Sequence, residues 1–281
     1  MKKVVSIIIS VAFAFVAVTA NAQTNEFNHK TGEYLEVDGA SIYYEEIENV
    51  GKPTLLVLHG GFGNIEDFNP ILQMFINDYH IIGIDSRGHG KSTLGTTKLT
   101  YKRLQFDVET VVNHLQLKNI DIIGYSDGGV IAYRLAAANR ISIRKIVTIG
   151  ATWSLSDAEL MEKLMEGETP EKSRETWLRE IFDFYQKNNP IPDFDKFAKC
   201  VFEMWTDKTE DGYPQESVGN ISVPTLIIRG NDDYMFPLES AVELTTKVKT
   251  SLLFNIPFAP HDAHNKYPQI FEIITKEFLS L

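Results

Sequence analysis

One short turn constrains this chain more than any other segment. Gly124-Tyr125-Ser126-Asp127-Gly128 follows the apolar run Ile120–Ile123 and precedes a predicted helix of small residues that begins at Val130. The pattern G-x-S-x-G between a strand and a helix lifts a serine clear of a sheet at a strained backbone angle. The flanking glycines are needed because side chains there would collide with the turn. The serine also lies at a helix N-terminus, whose free N–H groups favour developing negative charge.

The rest of the chain supplies the sheet that such a turn requires. Short apolar runs alternate with helical stretches, a pattern typical of a mainly parallel sheet with helices on both faces. The eight predicted strands are Tyr34–Val37, Ile42–Ile47, Thr54–Leu58, Ile81–Ile84, Ile120–Ile123, Lys145–Ile149, Thr225–Ile228 and Leu252–Ile256. The first two flank Asp38-Gly39, which predicts an antiparallel hairpin at one edge of the sheet.

The alternation breaks once, between the sixth and seventh predicted strands. Residues 151–220 contain only helical stretches, are rich in aromatic residues, and carry 16 acidic and 8 basic side chains. An insertion of this length between two strands is typical of a lid or cap. The predicted organisation is therefore a core over residues 23–150 and 221–281 with a helical cap over residues 151–220.

The first 22 residues have the features of an export signal. The basic start Met1-Lys2-Lys3 precedes an apolar run, Val4–Val18, and small residues at Ala20 and Ala22 form an A-x-A site. This arrangement predicts a signal peptide over residues 1–22, cleaved to leave Gln23 first. The apolar run is shorter than the ~20 residues of a spanning helix, so we expect no stable membrane insertion after cleavage. The expected location is the bacterial periplasm or the exterior.

Composition excludes several classes of function. The chain has 281 residues, a formal net charge of -11 and one cysteine, Cys200. A single cysteine cannot form a disulfide framework or a Cys-rich zinc site. The acidic balance makes nucleic acid an unsuitable partner, since phosphate binding needs a basic face. The seven histidines show no metal-binding spacing, and no cofactor is expected.

Four further motifs follow the predicted strands in a fixed order. They are His59-Gly60-Gly61-Phe62-Gly63, the turn Asp85–Ser92, the loop Gly230–Pro237, and Pro260-His261. With the serine turn, they make the chain from about Gly32 onward resemble the α/β-hydrolase superfamily. The resemblance implies an eight-stranded, mostly parallel sheet, a helical cap after the sixth strand, and a Ser-His-Asp triad in the chain order Ser126, Asp233, His261.

The resemblance also selects the acid and the base among neighbours. The family places its acid three residues after the glycine and four before the proline of the Gly230–Pro237 loop, which indicates Asp233 rather than Asp232. His261 keeps the family's seven-residue spacing to Pro268, although Pro260 replaces the usual glycine. His264 is the rival base, and would otherwise line the pocket or be exposed.

The loop after the third strand implies an oxyanion hole. In the family this loop supplies one backbone N–H, here that of Gly61 with Phe62 as the neighbouring alternative, and the residue after the nucleophile, Asp127, supplies the second. Two such donors stabilise a tetrahedral oxyanion. His59 and the Asp85–Ser92 turn are interpreted as structural.

A serine nucleophile predicts acyl transfer to water, with a small-molecule carboxylic ester as the expected substrate. It argues against the superfamily's epoxide hydrolases and dehalogenases, which place an aspartate there. The elbow resembles the biphenyl-hydrolase-like group, which includes valacyclovir hydrolase, an α-amino-acid ester hydrolase. Its Asp127 carboxylate would pair with a substrate ammonium, or else point into solvent or cap the helix. Phe62 and Trp153 are expected to contribute to substrate binding.

Other functions remain open on the sequence. A proline iminopeptidase shares the His59-Gly60-Gly61 loop and the large cap, but usually carries Trp where this chain has Asp127. A carbon–carbon bond hydrolase uses the same triad. A non-catalytic binding relative would keep the pocket alone. The oligomeric state has no signal in the sequence.

Overall fold

The computed structural model describes residues 25–280. The predicted signal peptide and the predicted mature start at Gln23 lie outside the described residues. Among residues 25–280, no helix combines the length and the apolar character needed to cross a membrane.

Eight strands form one sheet, as the alternating pattern predicts. The strands are β1 Glu33–Val37, β2 Ala40–Ile47, β3 Thr54–Leu58, β4 His80–Ile84, β5 Ile120–Tyr125, β6 Ile143–Ile149, β7 Thr225–Gly230 and β8 Ser251–Ile256. Their order is β1-β2-β4-β3-β5-β6-β7-β8. β1 pairs antiparallel with β2, and β2 with β4, whereas every other pair is parallel. The predicted edge hairpin and mostly parallel sheet are therefore confirmed.

Helices cover both faces of the sheet. Their bounds are α1 Asn69–Leu72, α2 Tyr101–His114, α3 Asp127–Ala138, α4 Leu155–Leu164, α5 Pro170–Glu175, α6 Arg179–Asn188, α7 Phe194–Trp205, α8 Leu238–Lys247, α9 Ala263–Lys266 and α10 Pro268–Ser280. Helices α2, α3 and α8 contribute to one apolar core, and α1, α9 and α10 contribute to the other. Burial of apolar surface on both faces is what permits the continuous apolar strands.

The segment between β6 and β7 is helical, as expected of a cap. Within the described residues it contains α4–α7 and a 3₁₀ helix, Gln215–Asn220, and no strand. Aromatic rings fill its interior, with Tyr185 stacked on Phe197 at a centroid separation of 4.9 Å. Asn189 ties it to the core, because its side-chain amide donates to the carbonyls of Gly90 and Ser92 at 3.0 and 2.9 Å.

The turn between β5 and α3 has the strain that its sequence predicts. Ser126 has φ +50° and ψ −117°, a conformation that L-residues rarely adopt. A Cβ added to Gly124 would lie 2.4 Å from the carbonyl oxygen of Gly128, and one added to Gly128 would lie 1.9 Å from that of Leu58. Neither position has space for a side chain, so both glycines are needed for steric reasons.

The Asp85–Ser92 turn is a buried network, which agrees with the structural interpretation. Arg87 donates from Nε and Nη2 to the Asp107 carboxylate at 2.7 and 2.8 Å, and from Nη2 to the Val37 carbonyl at 2.8 Å. Asp85 accepts from the N–H groups of Ile65 and Lys91 at 2.9 and 2.7 Å. These bonds join the turn to α2, the edge hairpin and the 3₁₀ helix Ile65–Phe68.

The steric argument at the turn is tested by Gly128→Ala. A methyl group 1.9 Å from a backbone oxygen forces β3 and α3 apart, so we expect a loss of at least about 3 kcal/mol in the free energy of unfolding. Gly219→Ala is the matched control, because a Cβ there meets nothing within 4 Å, and its expected change is within about 1 kcal/mol. Urea unfolding at pH 7 measures both. Equal midpoints for the two variants would contradict the steric account.

Candidate active site

Three side chains from three loops form a hydrogen-bonded chain. The His261 Nε2 atom lies 3.0 Å from Ser126 Oγ, and its Nδ1 atom lies 2.8 Å from Asp233 Oδ2. The three residues follow β5, β7 and β8, so all lie at the carboxyl edge of the parallel strands. The arrangement matches a nucleophile, a base within hydrogen-bonding reach, and a third group that orients the base.

Asp233 is held so that one oxygen faces the histidine. Its Oδ1 atom accepts from the N–H groups of Met235 and Phe236 at 2.9 and 3.1 Å, which leaves Oδ2 for His261. A carboxylate at Nδ1 places the ring proton there and leaves Nε2 as an acceptor for the serine hydroxyl. Asp232 is exposed and does not contact His261 in the described structure. The geometry therefore favours Asp233, as the loop spacing predicts.

His264 has neither of the positions expected of it. It is 2% exposed, with its ring 4.7 Å from that of Tyr125 and 5.9 Å from that of Phe271. It lines neither cavity beside Ser126. Burial, with His261 nearby, lowers the pKa of His264 to about 3, so the ring stays neutral. The expectation that it lines the pocket or is exposed is wrong, because the last turn before α10 directs it into the core.

The two residues expected to form the oxyanion hole lie side by side. A Cβ added to Gly61 would be 2.7 Å from Asp127 Oδ2, so the loop after β3 and the start of α3 are in contact. Within residues 25–280, the backbone N–H groups of Gly61 and Asp127 donate to no protein acceptor. Phe62, the alternative to Gly61, has φ +60° and a buried side chain.

His59 shapes this loop and cannot act as a base. Its Nδ1 atom donates to the Gly60 carbonyl at 2.7 Å, and its Nε2 atom accepts the Ser86 N–H at 2.9 Å. Both ring nitrogens are therefore occupied by backbone groups. The structural interpretation of His59 agrees with this geometry.

A cavity of about 490 Å³ opens beside Ser126 and His261. Phe62, Met161, Leu178 and Trp177 are among its mostly apolar walls, so Phe62 has the expected position. Glu168 is the one carboxylate in this wall within the described chain, and it accepts from Ser173 Oγ at 3.0 Å and from Trp177 Nε1 at 3.1 Å. The cavity suits an apolar group of a small molecule.

A second, smaller compartment of about 30 Å³ also adjoins Ser126 and His261. Tyr101, Asp127, Thr152 and Tyr213 make its wall more polar than that of the large cavity. Ser126 thus adjoins two spaces of unequal size.

The Asp127 side chain faces this smaller compartment. It accepts from Tyr101 Oη at 2.8 Å and from Trp205 Nε1 at 3.0 Å (Oδ1) and 2.9 Å (Oδ2). It is 6% exposed, and burial raises the pKa of its carboxyl group, while the Trp205 and Tyr101 hydrogen bonds oppose that shift. The alternatives in which Asp127 points into solvent or caps the helix are wrong, because cap and core groups enclose its carboxylate.

Trp153 is the predicted site residue that the structure places elsewhere. Its side chain is 2% exposed, its Nε1 atom donates to the Ser240 carbonyl at 3.1 Å, and it lines neither cavity beside Ser126. The start of α4 holds the Trp153 backbone, since Asp157 accepts its N–H at 2.9 Å, and the bond to Ser240 holds the ring against α8. The expectation that Trp153 binds substrate is wrong.

Several pocket residues were not singled out from the sequence. Trp205 follows Phe194, Phe197 and Val201 at helical spacing, and this spacing predicts that it lies on the buried face of α7. The spacing does not predict which part of the core packs against that face. Tyr101 and Tyr213 lie far from Ser126 in the chain and carry no motif.

Comparison with known proteins agrees with the fold and the site geometry described above. The sequence model of the alpha/beta hydrolase fold family matches residues 53–207, more than half of the chain. The chain belongs to the α/β-hydrolase fold family. The serine hydrolase BPHL of Mus musculus is 27% identical over 266 residues, which cover 89% of this chain and 86% of that protein. A putative esterase/lipase of Haemophilus influenzae is 22% identical over 285 residues, which cover 95% of this chain and 99% of that protein.

Solved structures agree at the level of the fold. A hydrolase from Pseudomonas aeruginosa superposes with a TM-score of 0.70 at 20% identity, covering 90% of this chain and all of that one. The family match, these relatives and the sheet order together make this protein a hydrolase of the α/β-hydrolase superfamily.

Burial of neutral His264 makes stability depend on pH. The unfolded chain binds a proton at His264 near pH 6.5, whereas the folded pKa is about 3. The contribution of neutral His264 to the free energy of unfolding is fully present above pH 6.5. It is lost as pH falls toward 3, because over that range only the unfolded state takes up the proton. His264→Phe removes this linkage. Between pH 7 and pH 5, we expect the free energy of unfolding to fall less in His264→Phe than in the unmodified protein. The difference should be about 1.4 kcal/mol for each pH unit below 6.5.

Urea unfolding at several pH values measures this difference. The exposed His114 provides the control substitution, His114→Gln, which should keep the pH dependence of the unmodified protein. A His264→Phe curve parallel to that of the unmodified protein would show that His264 is protonated in the folded state.

Proposed function

We propose that this protein is a serine hydrolase that cleaves a small-molecule carboxylic ester through an acyl-enzyme. The observation that carries the proposal is the continuous hydrogen-bonded chain Ser126–His261–Asp233, at 3.0 and 2.8 Å, beside two backbone N–H groups without acceptors. A binding relative that had lost catalysis would have no need to keep all of these groups in register.

The geometry supports the following sequence of steps. Ser126 Oγ attacks the ester carbonyl carbon as His261 Nε2 removes its proton. The carbonyl oxygen becomes an oxyanion that accepts from the N–H groups of Gly61 and Asp127. The carbon–oxygen bond to the alcohol breaks, and His261 returns the proton to the leaving alkoxide. Water then repeats the attack on the acyl-enzyme, which releases the acid and restores Ser126, while Asp233 stabilises the imidazolium each time.

The two cavities indicate the shape of the substrate. The large apolar cavity of about 490 Å³ takes the bulkier apolar part of the ester, and the compartment of about 30 Å³ takes the smaller part. The apolar walls of the large cavity favour an uncharged aliphatic or aromatic group in that part of the substrate, since burying a charge there would cost free energy.

One observation favours a narrower substrate, an ester of an amino acid with a free amine. The Asp127 carboxylate beside Ser126 is buried, and its side-chain partners are the neutral donors of Tyr101 and Trp205. A buried carboxylate without a cationic partner attracts a positive charge. BPHL proteins are similar to this chain at 25–27% identity, and the acidic cap is compatible with a cationic ligand.

We retain export as part of the proposal. The features of residues 1–22 are its support, and a mature N-terminus at Gln23 in a secreted or periplasmic fraction is its test.

Covalent labelling tests the nucleophile. A fluorophosphonate probe should label the protein at Ser126, because an activated serine hydroxyl attacks the phosphorus and displaces fluoride. Ser126→Ala should abolish both labelling and ester hydrolysis, and His261→Ala should reduce both by at least about 10³-fold. Mass spectrometry of the labelled peptide identifies the site. Labelling of intact protein at another serine, with ester hydrolysis unchanged in Ser126→Ala, would overturn the proposal.

A matched pair of esters tests the role of Asp127. Two esters share one alcohol, and their acyl group is either a free amino acid or its N-acetylated form. We expect a higher kcat/KM for the free amine, and we expect Asp127→Asn to remove that preference while it still hydrolyses the acetylated ester. Ser126→Ala is the blank. Equal values for the two esters would identify a general carboxylesterase, and a preference that survives Asp127→Asn would exclude Asp127 as its source.

A further inference from the structure

One side chain of the cap touches both residues that supply the oxyanion donors. The Trp205 indole N–H is shared between the two carboxylate oxygens of Asp127, at 3.0 and 2.9 Å. The same ring covers Gly61, since a Cβ added to Gly61 would lie 2.5 Å from Trp205 Cζ2. Trp205 therefore lies against both sides of the oxyanion hole, although it is 78 or more residues from either.

The Asp127 carboxylate is held from the core as well. Tyr101 Oη, at the start of α2, donates to Oδ1 at 2.8 Å, so one donor from the core and one from the cap fix the carboxylate. The side chain of the first residue of α3 thus cannot rotate freely. These bonds anchor the carboxylate to both the core and the cap, so they resist a displacement of the Asp127 Cα and of the backbone nitrogen bonded to it.

Trp205 also ends the last α-helix of the cap. It is the last residue of α7, and its carbonyl accepts from Tyr213 Oη at 3.0 Å. Two residues later, Asp207 pairs with Lys98 of the core at 2.9 Å. The ring further packs edge-on against Phe62 at a centroid separation of 5.4 Å. The position of the Trp205 indole therefore depends on where the C-terminal end of α7 lies.

We propose that Trp205 is a positioning residue whose hydrogen bond to Asp127 completes the oxyanion hole only when the end of α7 is seated on the core. The proposal rests on the proposed function, since it concerns the same site. Trp205 acts through its contacts with Asp127 and Gly61. Its side chain does not need to contact the reacting atoms of the substrate. The expected signature is a loss in the chemical step with little change in substrate binding.

The kinetic test compares two cap tryptophans on a neutral ester. Trp205→Phe keeps a ring over Gly61 and removes the indole donor. Its kcat should fall about tenfold, less than the loss of an oxyanion donor itself causes, and its KM should stay within about twofold. Trp177→Phe is the matched control: Trp177 also packs edge-on against Phe62 and lines the large cavity, but its indole donates to Glu168. Any effect there should be in KM.

A transition-state analogue separates positioning from pocket shape. An alkylboronic acid, which forms a tetrahedral adduct with an activated serine, should lose affinity in Trp205→Phe by the same factor as kcat/KM. Tyr101→Phe should move both values in the same direction. An increase of KM alone in Trp205→Phe, with kcat and boronate affinity unchanged, would make Trp205 a wall of the pocket and overturn the proposal.

A measurement without catalysis keeps the two proposals separate. Trp205 is one of three tryptophans, and its indole N–H should exchange slowly with solvent deuterium in the unmodified protein. Asp127→Ala should accelerate that exchange at least tenfold, whereas Asp127→Asn, which retains an acceptor, should not. Fast exchange in the unmodified protein would overturn the positioning proposal. Slow exchange in a protein that no fluorophosphonate labels would instead overturn the serine-hydrolase function.

Discussion

The close approach of α3 to β3 and β5 is the contact on which the rest of the site depends. At Gly128 a single added carbon would lie 1.9 Å from the Leu58 carbonyl oxygen and 2.8 Å from that of His59. This contact presses the start of the helix against the loop after β3. It brings Asp127 beside Gly61, and it holds Ser126 at φ +50° above the sheet edge. The strain at Ser126 persists because the buried helix and strand on either side leave the backbone no alternative path.

The parallel sheet then determines which loops meet Ser126. Carboxyl ends of neighbouring parallel strands lie on one edge, so the loops after β7 and β8 bring Asp233 and His261 to the same place. Gly150 closes the space beneath them: it has φ +58°, and a Cβ there would lie 2.9 Å from the His261 ring. His261 is thus enclosed by backbone on one side and by hydrogen bonds at both nitrogens. These contacts hold its orientation, as the proposed proton transfer from Ser126 would require.

The cap converts this exposed edge into an enclosed site. Its helices supply most of the apolar wall of the large cavity, and Trp205 adds a polar contact to Asp127. Excluding water strengthens every electrostatic interaction inside, including that between an oxyanion and two N–H groups. The same enclosure leaves the Asp127 carboxylate buried with the neutral donors of Tyr101 and Trp205. Under the proposed function, this one residue would influence both the geometry of the oxyanion hole and the choice of substrate.

The sequence by itself determined the strands, the strained turn and the residues of the hydrogen-bonded chain. Short apolar runs that alternate with helical stretches predict buried strands, and G-x-S-x-G between a strand and a helix predicts the strained turn. The choice of Asp233 over Asp232 came from the resemblance to the α/β-hydrolase superfamily. What the tertiary structure decided is the direction of single side chains. Trp153 turns into the core, His264 lies buried behind Tyr125, and Trp205 and Tyr101 close on Asp127. Such directions depend on contacts between segments far apart in the chain, and local spacing carries no information about which segments will meet.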